Sequence, residues 1–263
     1  MARGMSWLAV HDLACRRDGR AILDGITASF SGGEVTALVG PNGSGKTTLL
    51  RHLAGLEAPA AGRVELDDQA LSSVELGARA RRIAYLAQAA AVYWPLRGRD
   101  LVSLGRLPHG ADLGRPLRSA DSAALERALV RVNGGALAER FIDTLSQGER
   151  ARLTLARVLA TEADIVLADE PVANLDPGYA LDAMTVLRAE AQRGALVIVS
   201  LHDLGLAARF ADRVIVLAGG RIAADGPAAD ALRPEVIDAA YGVGFRTVSV
   251  EGVVQVVAWS RRP

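Results

Sequence analysis

Gly40-Pro41-Asn42-Gly43-Ser44-Gly45-Lys46-Thr47 follows the spacing G-x-x-x-x-G-K-[ST], with Thr48 next, and this order of residue types suits the wrapping of a phosphate chain. Its glycines let backbone N–H groups turn inward on the phosphates, and a helix starting near Lys46 adds its positive end. Lys46 then reaches the terminal phosphates while Thr47 offers a hydroxyl to magnesium. Composition points to the same place. Of the thirty Lys and Arg residues only Lys46 is a lysine, and a compact ammonium fits inside a phosphate loop where a planar guanidinium does not. A second set follows in Ile165-Val166-Leu167-Ala168-Asp169-Glu170, which brings two carboxylates to the exit of an apolar run. Asp169 is expected to hold magnesium, directly or through water, and Glu170 to polarise a water attacking a γ-phosphate. ATP and Mg2+ are the expected ligands, and ATP hydrolysis the expected reaction.

These groups need a scaffold of strand ends. Val35–Val39, between Gly32-Gly33 and Gly40, predicts a buried strand feeding the loop. Gly62–Leu66, Ile83–Leu86, Ile165–Ala168, Leu196–Ser200 and, as the last core strand, Val214–Leu217 predict five more. Helical periodicity alternates with them over Leu49–Ala54, Ala120–Val132, Glu149–Ala160 and Gly178–Arg193. The pattern predicts an α/β fold with a mainly parallel sheet. Trp7–Phe30, turning at Asp18-Gly19, predicts an N-terminal antiparallel β layer, and Phe245–Trp259 a hairpin around Glu251-Gly252. No strong strand signal occurs from Ala89 to Ala160, which predicts a helical insert. The expected organisation is one unit over 1–263, with a core at about 1–88 and 161–225, a helical subdomain at about 89–160 and a C-terminal extension at about 226–263.

Composition sets outer bounds. The 263 residues can bury a sizeable core, and no apolar run approaches the length of a membrane helix. Met1–Trp7 shows no secretory pattern, and the single cysteine, Cys15, suggests a reducing compartment. Thirty acidic residues balance thirty basic ones, so no nucleic-acid partner is expected on electrostatic grounds.

With these residues in view the chain resembles the ATP-binding-cassette family, a P-loop NTPase fold, over most of its length. Leu145-Ser146-Gln147-Gly148-Glu149 resembles the family signature, Gln88 the loop glutamine that contacts magnesium, Ala173-Asn174-Leu175-Asp176 the loop crossing the dimer interface, and His202 the switch histidine facing the γ-phosphate. The resemblance implies a head-to-tail pair, each ATP held between Lys46 of one copy and the Ser146 region of the other. It implies transmembrane permease subunits, an extracytoplasmic substrate-binding protein, and a peripheral position on the cytoplasmic face of the inner membrane. Two departures matter. Gln147 stands where the signature has glycine, so its side chain either crowds the opposing nucleotide, slowing hydrolysis, or points away. Arg17 or Arg16 stands where an aromatic commonly stacks on adenine.

Ala91–His109, with Tyr93-Trp94-Pro95-Leu96 and Leu104-Gly105-Arg106-Leu107-Pro108-His109, is similar to the insert of cassette subunits importing iron chelates, haem or cobalamin. Tyr93 and Trp94 suit either a patch for a membrane subunit or core burial. Haem ligation by His52 or His109 is not expected. Three readings stand: an importer motor for such a cargo, a motor for another solute or for export, and a soluble cassette ATPase acting on nucleic acid or ribosomes.

Overall fold

The computed structural model describes residues 7–88, 95–112, 114–250 and 253–261. Strands β1 (Trp7–Arg17), β2 (Arg20–Ser31) and β3 (Val35–Val39) lead into helix α1 (Lys46–Leu53). Then come β4 (Ala61–Leu66), β5 (Gln69–Ala70), α2 (Leu76–Arg82) and β6 (Ile83–Leu86). A helical stretch holds α3 (Gly98–Ser103), α4 (Ser119–Arg131) and α5 (Gln147–Ala160). Alternation resumes with β7 (Ile165–Asp169), α6 (Pro177–Gln192), β8 (Leu196–Ser200), α7 (Leu204–Phe210), β9 (Arg213–Ala218) and β10 (Arg221–Pro227). The chain closes with α8 (Ala228–Ala231), α9 (Pro234–Tyr241), β11 (Val243–Val250) and β12 (Val253–Arg261).

The central sheet runs β10-β9-β3-β8-β7-β6, parallel except for β10 at the edge. Its inner strands are buried along their whole length because both faces are covered, which is why they read as unbroken apolar runs. On one face Val35, Ala37 and Val39 pack with Leu125, Leu129, Leu153 and Leu159 from α4 and α5, and with Met184 and Leu187 from α6. On the other, Leu38, Ile165, Leu167 and Ile198 meet Leu49, Leu50 and Leu53 of α1 and a second, antiparallel sheet, β2-β1-β4-β5. With eight residues, α1 is too short to be stable alone, and packing holds it: each buried leucine contributes about 1.5–3 kcal/mol.

The β1–β2 pair and the antiparallel C-terminal strands β11 and β12 lie where the sequence predicts them, the turn expected at Glu251-Gly252 being outside the described residues. Gly62–Leu66, expected with the strands of the α/β alternation, instead forms β4, which pairs antiparallel with β1 and carries β5 into the N-terminal layer. The described part of the helical stretch forms no strand, its only β pairing being a single bridge from Arg97 to Phe141. The sheet does not end with β9. β10 adds an antiparallel edge with alternating half-buried and exposed residues, a pattern carried by too few branched side chains to read in advance. No helix among the described residues is long and apolar enough to cross a membrane.

Candidate functional site

The chain leaves β3 at Gly40 with φ 148, and a β-carbon there would run into the Leu217 carbonyl and Ser44 Oγ. Gly45, at φ 103, presses against Leu23 of β2, so it too has no room for a side chain. Between them Pro41 is half-buried, Asn42 and Gly43 are exposed, and Ser44 is buried. Lys46 opens α1 and Thr48 is buried beneath it. Lys46 is 5 % exposed, and its ammonium donates to the carbonyls of Gly40 at 2.8 Å and Pro41 at 3.3 Å. Burial pushes its pKa down, and the charges of Glu170 and Asp169 pull it back up. Ser44 Oγ is buried with no partner, an orphaned hydroxyl inside the loop.

The sheet register brings the acid pair to the same edge. Asp169 of β7 lies opposite Ser200 of β8, and Leu38 of β3 pairs with Ser200 from the other side. Asp169 Oδ1 accepts from Thr47 Oγ1 at 3.1 Å and from Ser200 Oγ at 2.7 Å, and Oδ2 accepts from the Tyr85 hydroxyl at 3.2 Å. Burial, followed by the Asp169 charge, raises the Tyr85 pKa, keeping that hydroxyl a donor. Glu170 sits just beyond the strand at φ 49, a left-handed conformation uncommon outside glycine. Its N–H donates to Ser200 Oγ at 2.8 Å. Its carboxylate is clasped on both oxygens: Gln88 Nε2 donates to Oε2, and His202 Nε2 contacts Oε1. Thr47, Lys46, Gln88, Asp169, Glu170 and His202 therefore converge at the carboxyl ends of parallel strands, where α/β folds place ligands.

Ser200, Tyr85 and Tyr241 are site residues that motif reasoning missed. Ser200 and Tyr85 stand in apolar runs, and a polar side chain near a strand's carboxyl end was the available signal. Tyr241, on α9, carried no signal. Its hydroxyl accepts the Gly40 N–H at 2.8 Å, although the two residues are 201 positions apart.

The segment resembling the signature starts α5. Ser146 is the N-cap: its Oγ accepts from the Glu149 N–H at 3.2 Å, and Glu149 Oε2 accepts from the Ser146 N–H at 2.9 Å. This reciprocal cap explains why the helix begins at Gln147, two residues before its apolar periodicity. The Ser146 N–H, with Arg140 beside it, lowers the Glu149 pKa. Gly148 is pressed onto the Tyr179 ring, where a β-carbon would overlap it. Gln147 is exposed and shares a cleft of about 380 Å³ with Gln88, Arg150, Glu170 and Asn174. Asp176, exposed, caps α6 through its backbone without a side-chain bond. Arg16 and Arg17 are exposed on β1, and Arg17 donates to Glu57 Oε1 at 3.4 Å. Tyr93 and Trp94 lie outside the described residues.

A strand-loop-helix phosphate cradle backed by a strand-end acid pair defines a nucleoside triphosphatase of the phosphate-loop class. The ABC transporter family profile matches residues 23–173. The hemin import ATP-binding protein HmuV of Rhodococcus jostii is 41 % identical over 239 residues, covering 91 % of this chain and 81 % of that protein. The cobalamin import ATP-binding protein BtuD of Halobacterium salinarum is 39 % identical over 225 residues, covering 85 % of this chain and 56 % of that protein. Among solved structures, an inward-facing ABC transporter described as of metal-chelate type superposes with a TM-score of 0.83 at 23 % identity, covering 97 % of this chain and 98 % of the other. The chain belongs to the ABC transporter family, as an ATP-binding, ATP-hydrolysing subunit.

Proposed function

We propose that this subunit powers import of haem, cobalamin or an iron chelate, working as a head-to-tail pair on the cytoplasmic face of a membrane beside permease subunits and an extracytoplasmic binding protein. The reading of cargo rests on the import proteins to which the chain is similar over most of its length. The reading of mechanism rests on one observation above others, the convergence of Gln88 and His202 on the Glu170 carboxylate beside the Thr47–Asp169 pair.

Lys46 is positioned to exchange its two loop carbonyls for the terminal phosphates of ATP, and the unpartnered Ser44 hydroxyl is available as a further donor. The oxygen set of Thr47 and Asp169, with Gln88 nearby, fits a hard divalent cation, so these residues would hold Mg2+. Bound there, Mg2+ neutralises charge on the phosphates. Glu170 accepts a proton from the attacking water as the new bond to the γ-phosphorus forms and the bond to the bridging oxygen breaks, giving ADP and phosphate. Both its oxygens are engaged in the resting chain, so admitting water requires Gln88 or His202 to let go. That release links hydrolysis to movement of two loops. Ser146, Gln147, Gly148 and Glu149 would meet the partner copy's ATP, because the first turn of α5 has unpaired N–H groups to offer an anion, and Asp176 would lie at the same junction.

The deciding experiment reconstitutes the subunit with its membrane partner in vesicles and measures ATP turnover with haem-, corrin- or iron-chelate-loaded binding protein. Stimulation by one of them is the expected result. Absence of stimulation by all three would remove the cargo reading and leave the ATPase reading standing.

A further inference from the structure

We propose that Cys15, His52 and Glu57 form a binding site for a thiophilic divalent transition-metal ion, Zn2+ being the best match, at the end of α1 opposite Lys46. Cys15 lies on β1, His52 in the last turn of α1, and Glu57 in the loop that follows. One ligand atom from each lies within 4.8 Å of the others. Metal bonds of 2.0–2.3 Å need ligand atoms roughly 3.5 Å apart, so closure asks for about 1 Å of side-chain adjustment.

His52 carries the argument. The side chain is 1 % exposed, and Nδ1 donates to the Glu57 carbonyl at 2.9 Å. That bond places the ring proton on Nδ1 and leaves a lone pair on Nε2, which is buried without any partner. A buried histidine with one ring nitrogen fixed by a backbone carbonyl and the other bare is prepared as a metal ligand. The Glu57 carboxylate is held in turn: Arg51 at 3.1 Å and Arg17 at 3.4 Å both contact Oε1, which leaves Oε2 for a cation. A cleft of about 170 Å³ lined by His52, Gly55 and Glu57 lies beside two of the three ligands.

On coordination the Cys15 thiol loses its proton to solvent, a metal-bound water departs, and the sulfur–metal bond forms, with no change of oxidation state. The thiolate brings a full negative charge to the ion, the Glu57 carboxylate brings one it shares with Arg51 and Arg17, and the C-terminal end of α1 adds a favourable partial charge. A sulfur, nitrogen and oxygen set selects Zn2+ or Co2+ over the hard Mg2+ expected beside Thr47. Occupancy would clamp α1 to β1.

The test titrates the purified, nucleotide-free full chain with Co2+ in excess Mg2+ and follows the sulfur-to-cobalt charge-transfer absorption. Cys15 is the sole cysteine, so the band reports this site alone. One equivalent should bind, Zn2+ should displace it, and Cys15→Ser should abolish the band. His52→Ala should weaken binding roughly 10- to 100-fold, and Glu57→Gln, on the partly exposed side, serves where His52→Ala fails to fold. No band in the wild-type chain overturns the proposal. So does a band whose affinity the foldable His52 and Glu57 variants leave unchanged, since the thiol would then bind metal on its own.

Discussion

Among the described residues the phosphate loop and the C-terminal segment beginning at α8 meet at a single hydrogen bond, and they treat their polar groups in opposite ways. Within the loop Lys46 turns back on the carbonyls of Gly40 and Pro41, Ser44 Oγ has no partner, and Thr47 reaches out to Asp169 where a metal ion is expected. The C-terminal segment keeps most of its polar side chains in solvent and sends one hydroxyl, that of Tyr241, under the start of the loop. The loop thus holds groups that a ligand can claim, while the distant segment supplies a contact no ligand needs. Chemistry is concentrated in a short motif. Its rigidity is borrowed from chain 201 residues away.

If that division holds, the largest losses should come from residues that touch the reacting atoms. Glu170→Gln should lower turnover by roughly 10²- to 10⁴-fold, the range a positioned base supplies, while ATP binding persists; normal turnover would remove Glu170 from its role. Lys46→Ala should weaken ATP binding by roughly 100-fold by equilibrium titration, because a charged partner of the phosphates is lost. Ser200→Ala probes the layer behind them. Its hydroxyl joins Asp169 Oδ1 to the Glu170 N–H and so fixes a residue held at φ 49. Turnover should fall roughly 10-fold with ATP affinity near wild type, the mark of a positioning residue, since one hydrogen bond is worth about 1 kcal/mol. A drop in affinity matching the drop in turnover would place Ser200 in ligand binding instead.

What could be read from residue order follows the same division. β3, β7 and β8 are buried on both faces, so their runs of Val, Leu, Ile and Ala were unmistakable, and the loop and acid pair sit directly at their ends. Ser200 was legible only as the end of a strand. It becomes part of the site through its register with Asp169, a relation between segments far apart in sequence. β10 stayed hidden because Arg-Ile-Ala-Ala-Asp-Gly-Pro has one branched apolar residue and pairs only as an edge. α9 spans only about two turns, too little for its periodicity to stand out, and only packing places Tyr241 beneath Gly40.

Tyr241→Phe gives the smallest expected effect and tests the comparison most directly. The ring packs edge-on against Phe245 with centroids 5.5 Å apart, and phenylalanine preserves that contact. What disappears is the acceptor for the Gly40 N–H, at a residue whose φ of 148 already depends on glycine. Burial raises the hydroxyl pKa to about 12, so the phenol stays neutral across the working range and the comparison can be made at any pH near neutrality. An orphaned buried N–H costs about 1–3 kcal/mol, but here the loop can relax toward solvent, which places the effect at the lower end. Stability should fall by about 1 kcal/mol in denaturant titration, and ATP should bind roughly 3- to 5-fold more weakly as the loop loses its fixed start. A stability loss with unchanged ATP affinity would show that the C-terminal segment braces the fold without shaping the loop.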